Sequence, residues 1–492
     1  MAILRRNERK LVGDVLKMQQ EKNTNVLNKV YDADAFRDAG HRLVDFLADQ
    51  LDSMKAGTNE QALPWGNPTD VLAEVDGWAA ADSGELFENV FQRCIRLHDP
   101  RCMGHQLMPP APVAALAGVM ADFMNNGMGV YEMGPAGSSI EHWLIKRIVE
   151  KFGFGADAGG FMTHGGTLAN LTGMLAARAR QCPSAWQTGE PSNLAVMVSS
   201  QAHYCMDRAA RAMGWGEDGV IQVPCNDRFG MDAELLEGLL AKATADGKQV
   251  IAVCGTACTT STGSIDDLQA IGQFCQRHNL WFHVDGAHGA GLVFSEKYRH
   301  LLDGIELADS IGMDFHKMLL APSVTSAVLF KKGKDAYRTF TQDAEYLLRA
   351  EENEDPWHDV ARRSFECTKT MLSLKVFSIV TTHGWEIFDQ SVTRLIDLAT
   401  AFAELVDSSD DFELALRPQA NILCFRFTDA DGDLSEANAA IRKAVITRGE
   451  FYIVQTSFNG ETWLRTTISN PMSTSEHFGS LLDYIRKLAK AC

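Results

Sequence analysis

The segment SIGMDFHKMLLAP contains a lysine in surroundings that lysines usually avoid. Lys317 follows a predicted strand and is flanked by His316 and by the apolar residues Phe315, Met318 and Leu319. Burial disfavours the ammonium and lowers the pKa of a lysine, which yields a nucleophilic amine suited to forming a Schiff base. The alternative is a lysine at the edge of a sheet with its ammonium in solvent.

A carboxylate stands at the end of the apolar run in LWFHVDGAHGA. Asp285 ends this run, and the small residues Gly286 and Ala287 follow it. The carboxyl end of a buried strand is where α/β sheets bind ligands, and a buried carboxylate needs a cationic partner. A protonated pyridine nitrogen would be such a partner, and the small residues leave room for a flat ring. The alternative is an aspartate that caps a helix.

Two further segments have features that would hold such a ring. GGFMTHGGTLANLTGML predicts a glycine-rich turn that runs into a helix. The backbone amides of Gly165, Gly166 and Thr167 would form an anion site there, because the helix dipole favours phosphate. His203 follows the predicted strand LAVMVSS, a position that suits an imidazole lying flat against a ring. A plain tight turn and a core histidine with satisfied hydrogen bonds are the alternatives.

Short apolar runs alternate with helical stretches from about residue 90 to 385. The runs are LAVMVSS at 194–200, VIQVP at 220–224, QVIAVCG at 249–255, LWFHVDG at 280–286 and SAVLFKK at 326–332. Near-continuous apolar strands that alternate with helices predict an α/β fold with a buried, mainly parallel sheet.

The two ends of the chain differ from this middle part. The first sixty residues place apolar side chains at helical spacing and end at LPWGNPTD, which predicts a helical segment too short for its own core. After Gly384, a long helix, the strands ANILCFRF and ETWLRTTIS and a closing helix predict a small α+β domain. We therefore expect an N-terminal helical dimerisation segment at 1–88, a large domain at 89–385 and a small C-terminal domain at 386–492, in a homodimer that exchanges its N-terminal arms.

The 492-residue chain is acidic, with 64 Asp and Glu against 46 Lys and Arg and a net charge of −18. Because such a surface repels phosphate backbones and anionic lipids, we expect no nucleic-acid and no membrane partner. The N-terminal sequence lacks the apolar stretch of a signal peptide. The 11 cysteines are scattered, without paired Cys or His at metal-ligand spacing, which predicts reduced thiols in a cytoplasmic protein and no metal site.

The order of a phosphate turn, a strand-end histidine, a strand-end aspartate and a flanked lysine resembles fold-type I pyridoxal-phosphate enzymes. More narrowly, it resembles the group II amino-acid decarboxylases. The resemblance covers roughly residues 30 to 490, and the motifs that carry it are AHY at 202–204, HVDGAHG at 283–289, HK at 316–317 and LRTTISNP at 464–471. It implies pyridoxal 5'-phosphate as cofactor, a homodimer, and an L-amino acid substrate converted to an amine and CO₂.

The resemblance also implies roles for individual residues. Lys317 would form the Schiff base with the cofactor, Asp285 would hold the pyridinium proton, and His203 and Ala287 would contact the two faces of the ring. His316 and Asp314 would help the turn to bind phosphate. The remaining cofactor contacts that it implies are Gly165, Gly166, Thr167 and Thr260.

Two segments bear on the substrate. HDPRCMGHQLMPP resembles the part of glutamate and cysteine sulfinate decarboxylases in which Gln106 would lie over the active site. Arg465, in LRTTISNP, would pair with a substrate carboxylate, a bidentate interaction suited to guanidinium. These features favour a small acidic or polar substrate. Members with other substrates share the arginine, so diaminobutyrate and aromatic amino acids are alternatives.

The chain departs from the family pattern in two places. Gly286 stands where most members have alanine, which would widen the slot for the ring. The segment 347–363 lacks the tyrosine that protonates the substrate carbon in many members. His358 is the candidate donor, because an unperturbed histidine pKa of about 6.5 suits donation near neutral pH, and an ordered water is the alternative. The acidic residues of this segment, which favour a mobile lid, are Glu351, Glu352, Glu354 and Asp355.

Other functions are compatible with the same motifs. An aldehyde-forming oxidative decarboxylase, an aminotransferase and a carbon-carbon lyase share the fold, although AHY, HVDGAHG and DFHK together resemble decarboxylases best. A catalytically silent interaction protein that keeps the cofactor is a further alternative. The intact set of Lys317, Asp285 and His203 disfavours it.

Overall fold

The computed structural model describes residues 24, 26–79, 83–189, 191–340 and 357–490. The chain divides into two compact units, Met1–Arg96 and Leu97–Cys492. The predicted domains 89–385 and 386–492 fall almost wholly within the second unit, so their boundaries and the one at residue 88 stay predictions. Residues 347–356 of the predicted mobile lid at 347–363, which include its four acidic residues, lie outside the described residues.

The described residues of the first unit include the helices α1 (Ala33–Lys55), α2 (Pro68–Trp78) and α3 (Ser83–Arg93). The carboxylate of Asp32 caps α1 by accepting hydrogen bonds from the amides of Asp34 and Ala35. Asn67 caps α2 in the same way, and Pro68 occupies its first turn, where a missing amide hydrogen costs nothing. The predicted helical segment and its break at LPWGNPTD are therefore confirmed.

A seven-stranded sheet forms the centre of the second unit. Its strands are β1 (Gly159–Thr163), β2 (Leu194–Ser199), β3 (Val220–Val223), β4 (Gln249–Thr256), β5 (Trp281–Gly286), β6 (Ser310–Asp314) and β7 (Ser326–Phe330), in the spatial order β1-β7-β6-β5-β4-β2-β3. Within this sheet only β7 runs against the other strands. The predicted α/β fold with a mainly parallel sheet is confirmed, and all five predicted runs form strands.

Helices precede, separate and follow these strands in sequence, in line with the predicted alternation. They are α4 (Pro112–Met124), α5 (Pro135–Lys151), α6 (Gly166–Gln181), α7 (Ala185–Thr188), α8 (Cys205–Ala212), α9 (Leu236–Ala245), α10 (Leu268–His278), α11 (Phe315–Met318) and α12 (Lys334–Thr339). The helices α13 (Leu372–His383) and α14 (Glu386–Asp407) follow the sheet. Strands β2, β5, β6 and β7 are buried along their whole length, which explains why their sequences are almost continuously apolar.

The C-terminal part forms a second, antiparallel sheet in the order β10-β11-β9-β8. Its strands are β8 (Phe412–Leu414), β9 (Ile422–Phe427), β10 (Val454–Phe458) and β11 (Glu461–Thr467), and its helices are α15 (Leu434–Arg448) and α16 (Ser475–Ala489). The predicted small α+β arrangement is confirmed. Among the described residues, no helix is long and apolar enough to cross a membrane.

Helix α14 connects the cores of the two sheets. Its first half places Phe388, Val392 and Leu395 in the core of the seven-stranded sheet. Its second half places Phe402 and Val406 in the core of the four-stranded sheet. Since one continuous apolar stripe serves both cores, the two sheets belong to a single compact unit.

A buried ion pair ties the chain after residue 357 to strand β1. The ammonium of Lys369 lies 2.8 Å from Oε1 of Glu141 on α5, and it also donates a hydrogen bond to the carbonyl of Met162 on β1. Both side chains are almost completely buried. Burial lowers the pKa of Lys369, while the carboxylate of Glu141 opposes that shift and keeps the pair charged.

Replacing Glu141 by glutamine should destabilise the protein strongly, because it leaves the buried ammonium of Lys369 without a counter-charge. We expect a loss of about 3–5 kcal/mol in the free energy of unfolding, measured with urea at neutral pH. Asp207→Asn is the matched control, since it breaks the exposed pair of Asp207 and Arg211. The unfolding midpoint of that variant should barely move. Equal losses in the free energy of unfolding for the two variants would show that the buried pair contributes no more to stability than the exposed pair.

Candidate active site

A cavity of about 220 Å³ lies at the carboxyl ends of the parallel strands. Strands β4, β5 and β6 end there at Thr256, Gly286 and Asp314. Every residue that the sequence predicts to contact the cofactor lines this cavity. These residues are Gly165, Gly166, Thr167, His203, Thr260, Asp285, Ala287, Asp314, His316 and Lys317.

Lys317 lies on the short helix α11, directly after β6. Its neighbours Phe315 and Met318 are fully buried, while 19% of the lysine side chain is exposed. The ammonium is 3.3 Å from Oδ2 of Asp314, and Nε2 of His316 is 3.6 Å from the same oxygen. The amine therefore enters the cavity beside a buried carboxylate, while the apolar neighbours pack into the core.

Asp285 is 4% exposed at the end of β5. Its Oδ1 accepts a hydrogen bond from the amide of Ala287 at 3.2 Å, and the thiol of Cys205 lies 4.0 Å from its Oδ2. Among the described residues, no cation is within ion-pair distance of this carboxylate. A buried carboxylate without a counter-ion is costly, so a cationic ligand atom such as a pyridinium nitrogen fits this position.

The glycine-rich turn forms the N-terminus of α6, as predicted. Gly165 is the N-cap and adopts a φ of +94°, a conformation that residues with a Cβ rarely adopt. A Cβ on Gly166 would lie 2.9 Å from Oδ1 of Asp314 and 3.0 Å from Cβ of Ala287. Only glycine therefore fits at position 166, between Asp314 and Ala287. The amides at the helix N-terminus can bind a phosphate.

The imidazole of His203 lines the cavity between the end of β2 and the start of α8. Burial lowers the pKa of this histidine, and the carboxylate of Asp285 partly opposes the shift. The ring is therefore neutral near neutral pH, as required for packing against a flat ligand. Nδ1 of His316 lies 3.1 Å from the carbonyl oxygen of Thr325 and 3.2 Å from its amide nitrogen, contacts that hold the imidazole beside the cavity.

Three residues with predicted roles do not line this cavity. Arg465 lies on β11 and is 4% exposed, and within the described part of the chain its Nε and Nη2 have no hydrogen-bond partner. Nε2 of Gln106 is buried and likewise has no partner among these residues. The ring of His358 packs against Tyr131 at 5.7 Å and Trp357 at 5.5 Å between centroids.

Comparison with known proteins agrees with this geometry. The conserved domain of pyridoxal-dependent decarboxylases matches residues 76–428, which is most of the chain. The chain belongs to the pyridoxal-dependent decarboxylase family. It is a pyridoxal-phosphate-dependent amino-acid decarboxylase, which confirms the predicted family, cofactor and reaction class.

Relatives of this decarboxylase have different substrates in their names. The L-2,4-diaminobutyrate decarboxylase of Acinetobacter baumannii is 30% identical over 416 residues, 81% of each chain. An L-aspartate decarboxylase of Metarhizium robertsii is 31% identical over 374 residues, 74% of each chain. The crystal structure of a decarboxylase domain from Vibrio parahaemolyticus, named for glutamate and for L-2,4-diaminobutyrate, has a TM-score of 0.81 at 27% identity and covers 93% of this chain and 96% of that one.

Sequence reasoning missed several residues that line the cavity of this decarboxylase. They are Asn170, Cys205, Thr256, Cys258, His288 and Val324. His288 is 3% exposed, its Nε2 lies 2.6 Å from Oδ1 of Asn421, and burial lowers its pKa to about 3. It stands three residues after Asp285 in HVDGAHG, and this proximity is the one signal in the sequence that places it near the cavity.

Replacing Gly166 by alanine should weaken cofactor binding, because the new methyl group would crowd Asp314 and Ala287. We expect the dissociation constant for pyridoxal phosphate to rise at least about tenfold, in line with the cost of overpacking a tight site. The measurement is a titration of apoprotein followed by visible absorbance. Gly479→Ala on α16 is the control, since a Cβ there meets no atom within 4 Å. Unchanged affinity of the Gly166 variant would contradict the proposed fit of the turn.

Proposed function

We propose that Lys317 forms the Schiff base in this decarboxylase and that Asp285, His203 and the turn at 165–167 bind the cofactor. The observation that carries the proposal is their convergence on one cavity at the carboxyl ends of β4, β5 and β6. These residues come from separate parts of the sequence, and each offers the chemistry that one part of pyridoxal phosphate requires.

Each of these residues has a distinct task. Pyridoxal phosphate, when bound, supplies an electron-accepting ring that assists cleavage of the bond to the carboxylate. Asp285 accepts the hydrogen bond of the ring N–H and keeps a negative charge beside it. The amides of Gly166 and Thr167 hold the phosphate at the helix N-terminus. The neutral imidazole of His203 packs against the ring and fixes its plane.

Asp314 has a different task here from the phosphate contact that the family resemblance implies. Its carboxylate lies 3.3 Å from Nζ of Lys317, and a phosphate placed against it would be repelled. We infer that Asp314 is the counter-ion of Lys317 and holds the amine in the cavity. Nε2 of His316 lies 3.6 Å from the same carboxylate, and the contact of this histidine with the phosphate stays a prediction.

Arg465 is the proposed contact for a carboxylate of the substrate. Burial lowers the pKa of its guanidinium, and its Nε and Nη2 have no partner among the described residues. A buried unpaired donor costs about 1–3 kcal/mol. A carboxylate removes that cost because it accepts two parallel hydrogen bonds from guanidinium.

The substrate that these surroundings favour is a small acidic or polar L-amino acid. Burial lowers the pKa of His105, and the charges of Arg465 and Arg442 lower it further, so two cations lie near this part of the chain; the buried Nε of Arg442 has no hydrogen-bond partner among the described residues. Gln106 adds a further unpaired donor. Such a set favours a second carboxylate or a polar acceptor over the side-chain ammonium of diaminobutyrate.

His358 remains the candidate proton donor to the substrate carbon, as the sequence predicts. In the described part of the chain it contacts Tyr131 and Trp357 and does not line the cavity. Because the family tyrosine is missing from 347–363, an aldehyde-forming reaction is the second candidate function. Measuring CO₂, amine, aldehyde and peroxide together in one assay distinguishes the two products.

We further propose a homodimer located in the cytoplasm. Helix α4 exposes four large apolar side chains by 52–66%: Leu116, Val119, Met120 and Phe123. An apolar patch of this kind is typical of an interface, and a second copy of the chain would cover it. The described cysteines are all free, as expected in a reducing compartment.

The Lys317→Ala variant should lose both the visible absorbance of the Schiff base and the release of CO₂, because no other amine in the cavity can form the bond. Borohydride reduction of the wild-type holoenzyme should attach the cofactor covalently, as a label, to the peptide that contains Lys317. Lys331→Ala, on the strand end remote from the cavity, is the control and should keep both signals. A label on another lysine would contradict the proposed assignment.

The Arg465→Lys variant should raise KM at least about tenfold while kcat changes less, since a point charge cannot replace a bidentate fork. The substrate for this measurement is the best of the twenty standard amino acids, cysteine sulfinate and diaminobutyrate, screened by CO₂ release. Arg426→Lys, on the neighbouring strand β9, is the control because Arg426 pairs with Glu413 and Glu461. An unchanged KM would assign Arg465 a purely structural role.

A further inference from the structure

A row of buried polar side chains lies behind Asp285, and the functions proposed above do not use it. We call this row the Asp285 relay, and its members are Trp281, Ser310, His283, Asn170 and Cys205. All five are at most 2% exposed. They come from β5, β6, α6 and α8, so the fold brings together elements that are distant in sequence.

The members of the relay are joined by consecutive hydrogen bonds. Nε1 of Trp281 donates to Oγ of Ser310 at 2.8 Å, and this oxygen lies 2.8 Å from Nδ1 of His283. Nε2 of His283 lies 3.0 Å from Oδ1 of Asn170, and Nδ2 of Asn170 donates to the sulfur of Cys205 at 3.3 Å. The relay ends where the sulfur lies 4.0 Å from Oδ2 of Asp285.

The chemistry of the groups allows one direction for the whole relay. An amide oxygen only accepts, so Oδ1 of Asn170 requires a proton on Nε2 of His283. In a neutral imidazole Nδ1 is then an acceptor, and it takes the hydroxyl hydrogen of Ser310. The sulfur of Cys205 receives the Asn170 amide hydrogen and directs its own S–H to Asp285. Each donor therefore points towards the carboxylate.

Burial keeps the two titratable members of the relay in the required forms. It lowers the pKa of His283 to about 4, so this imidazole carries one proton at neutral pH. It raises the pKa of Cys205 to about 12, so the thiol keeps the hydrogen that it donates. The neighbouring charge of Asp285 opposes the shift of His283 and adds to the shift of Cys205.

Two glycines provide the space that the relay occupies. A Cβ on Gly173 of α6 would lie 2.5 Å from Cε1 of His283. A Cβ on Gly312 of β6 would lie 2.3 Å from Oδ1 of Asn170. Any other residue at these positions would displace a member of the relay, which indicates a specifically packed polar network.

We propose that Cys205, Asn170, His283 and Ser310 are positioning residues that hold the carboxylate of Asp285 in one orientation towards the pyridine nitrogen of the cofactor. The inference rests on the proposed role of Asp285. Donors on both carboxylate oxygens, the Ala287 amide and the Cys205 thiol, fix the rotation of the group. The relay thereby maintains the proton on the ring nitrogen.

The first experiment removes the thiol donor. Holoenzyme loaded with cofactor labelled with ¹⁵N in the ring should show, in Cys205→Ala, a nitrogen shift displaced towards the unprotonated value. We expect kcat to fall about tenfold with KM nearly unchanged, as for the loss of one oriented donor. Cys205→Ser keeps a donor and should restore both readouts. Cys275→Ala is the matched control, because Cys275 is equally buried at 2% exposure but lies outside the site.

The second experiment tests the direction of the relay without substrate or cofactor. In apoprotein with ¹⁵N-labelled histidine, His283 should carry its proton on Nε2 and leave Nδ1 bare. In Asn170→Asp, the new carboxylate should raise the pKa of His283, and both nitrogens should become protonated. A proton on Nδ1 in the wild-type protein would overturn the proposed direction.

Asp285→Asn separates failure of the relay from failure of the proposed function. If this variant leaves the ring-nitrogen shift unchanged, Asp285 does not hold the pyridinium and both proposals are wrong. If it moves the shift while Cys205→Ala behaves like Cys275→Ala, the relay alone is wrong. The inference holds if Asp285→Asn and Cys205→Ala move the shift in the same direction and Cys205→Ser does not.

Discussion

The buried carboxylate of Asp285 is the constraint on which the rest of the site depends. A negative charge that is 4% exposed and lacks a cation among the described residues is unfavourable unless a ligand supplies the positive partner. Parallel pairing of β4, β5 and β6 places this carboxylate next to the ends of two other strands. The turn at 165–167, Lys317 and His203 therefore surround the same cavity, because the strands that precede them end at the same edge of the sheet.

The predictable parts of the fold are those whose residues are buried on both faces. Strands such as β2, LAVMVS, are almost continuously apolar, and this local pattern identifies them without any knowledge of their neighbours. Strands β1, β8 and β10, which the sequence does not predict, lack that pattern. β1 begins with two glycines, β8 has three residues, and β10, VQTSF, exposes part of its length. Their extended conformation depends on pairing with β7, β9 and β11, which the sequence does not reveal.

The same distinction applies to the site. Lys317, Asp285 and His203 stand directly after predicted strands, so strand prediction and residue chemistry single them out, whereas Thr260, Asp314 and His316 follow only from the family resemblance. Asn170 and His283 are 113 residues apart, and each looks like an ordinary residue of a helix or a strand. Their pairing follows from the packing of α6 against the sheet and from the absence of a side chain at Gly173. A single sequence contains no local signal for such a contact.

The cavity and Arg465, the proposed substrate contact, belong to different sheets of the second unit. The cavity residues follow strands of the parallel sheet, whereas Arg465 lies on β11, in register with Val454 on β10 and Cys424 on β9. Helix α14 packs its apolar stripe into the cores of both sheets. This shared core fixes the antiparallel sheet relative to the cavity, so β11 can vary its side chains without disturbing the residues around Asp285. The names of the relatives, for substrates as different as aspartate and diaminobutyrate, are consistent with such a division.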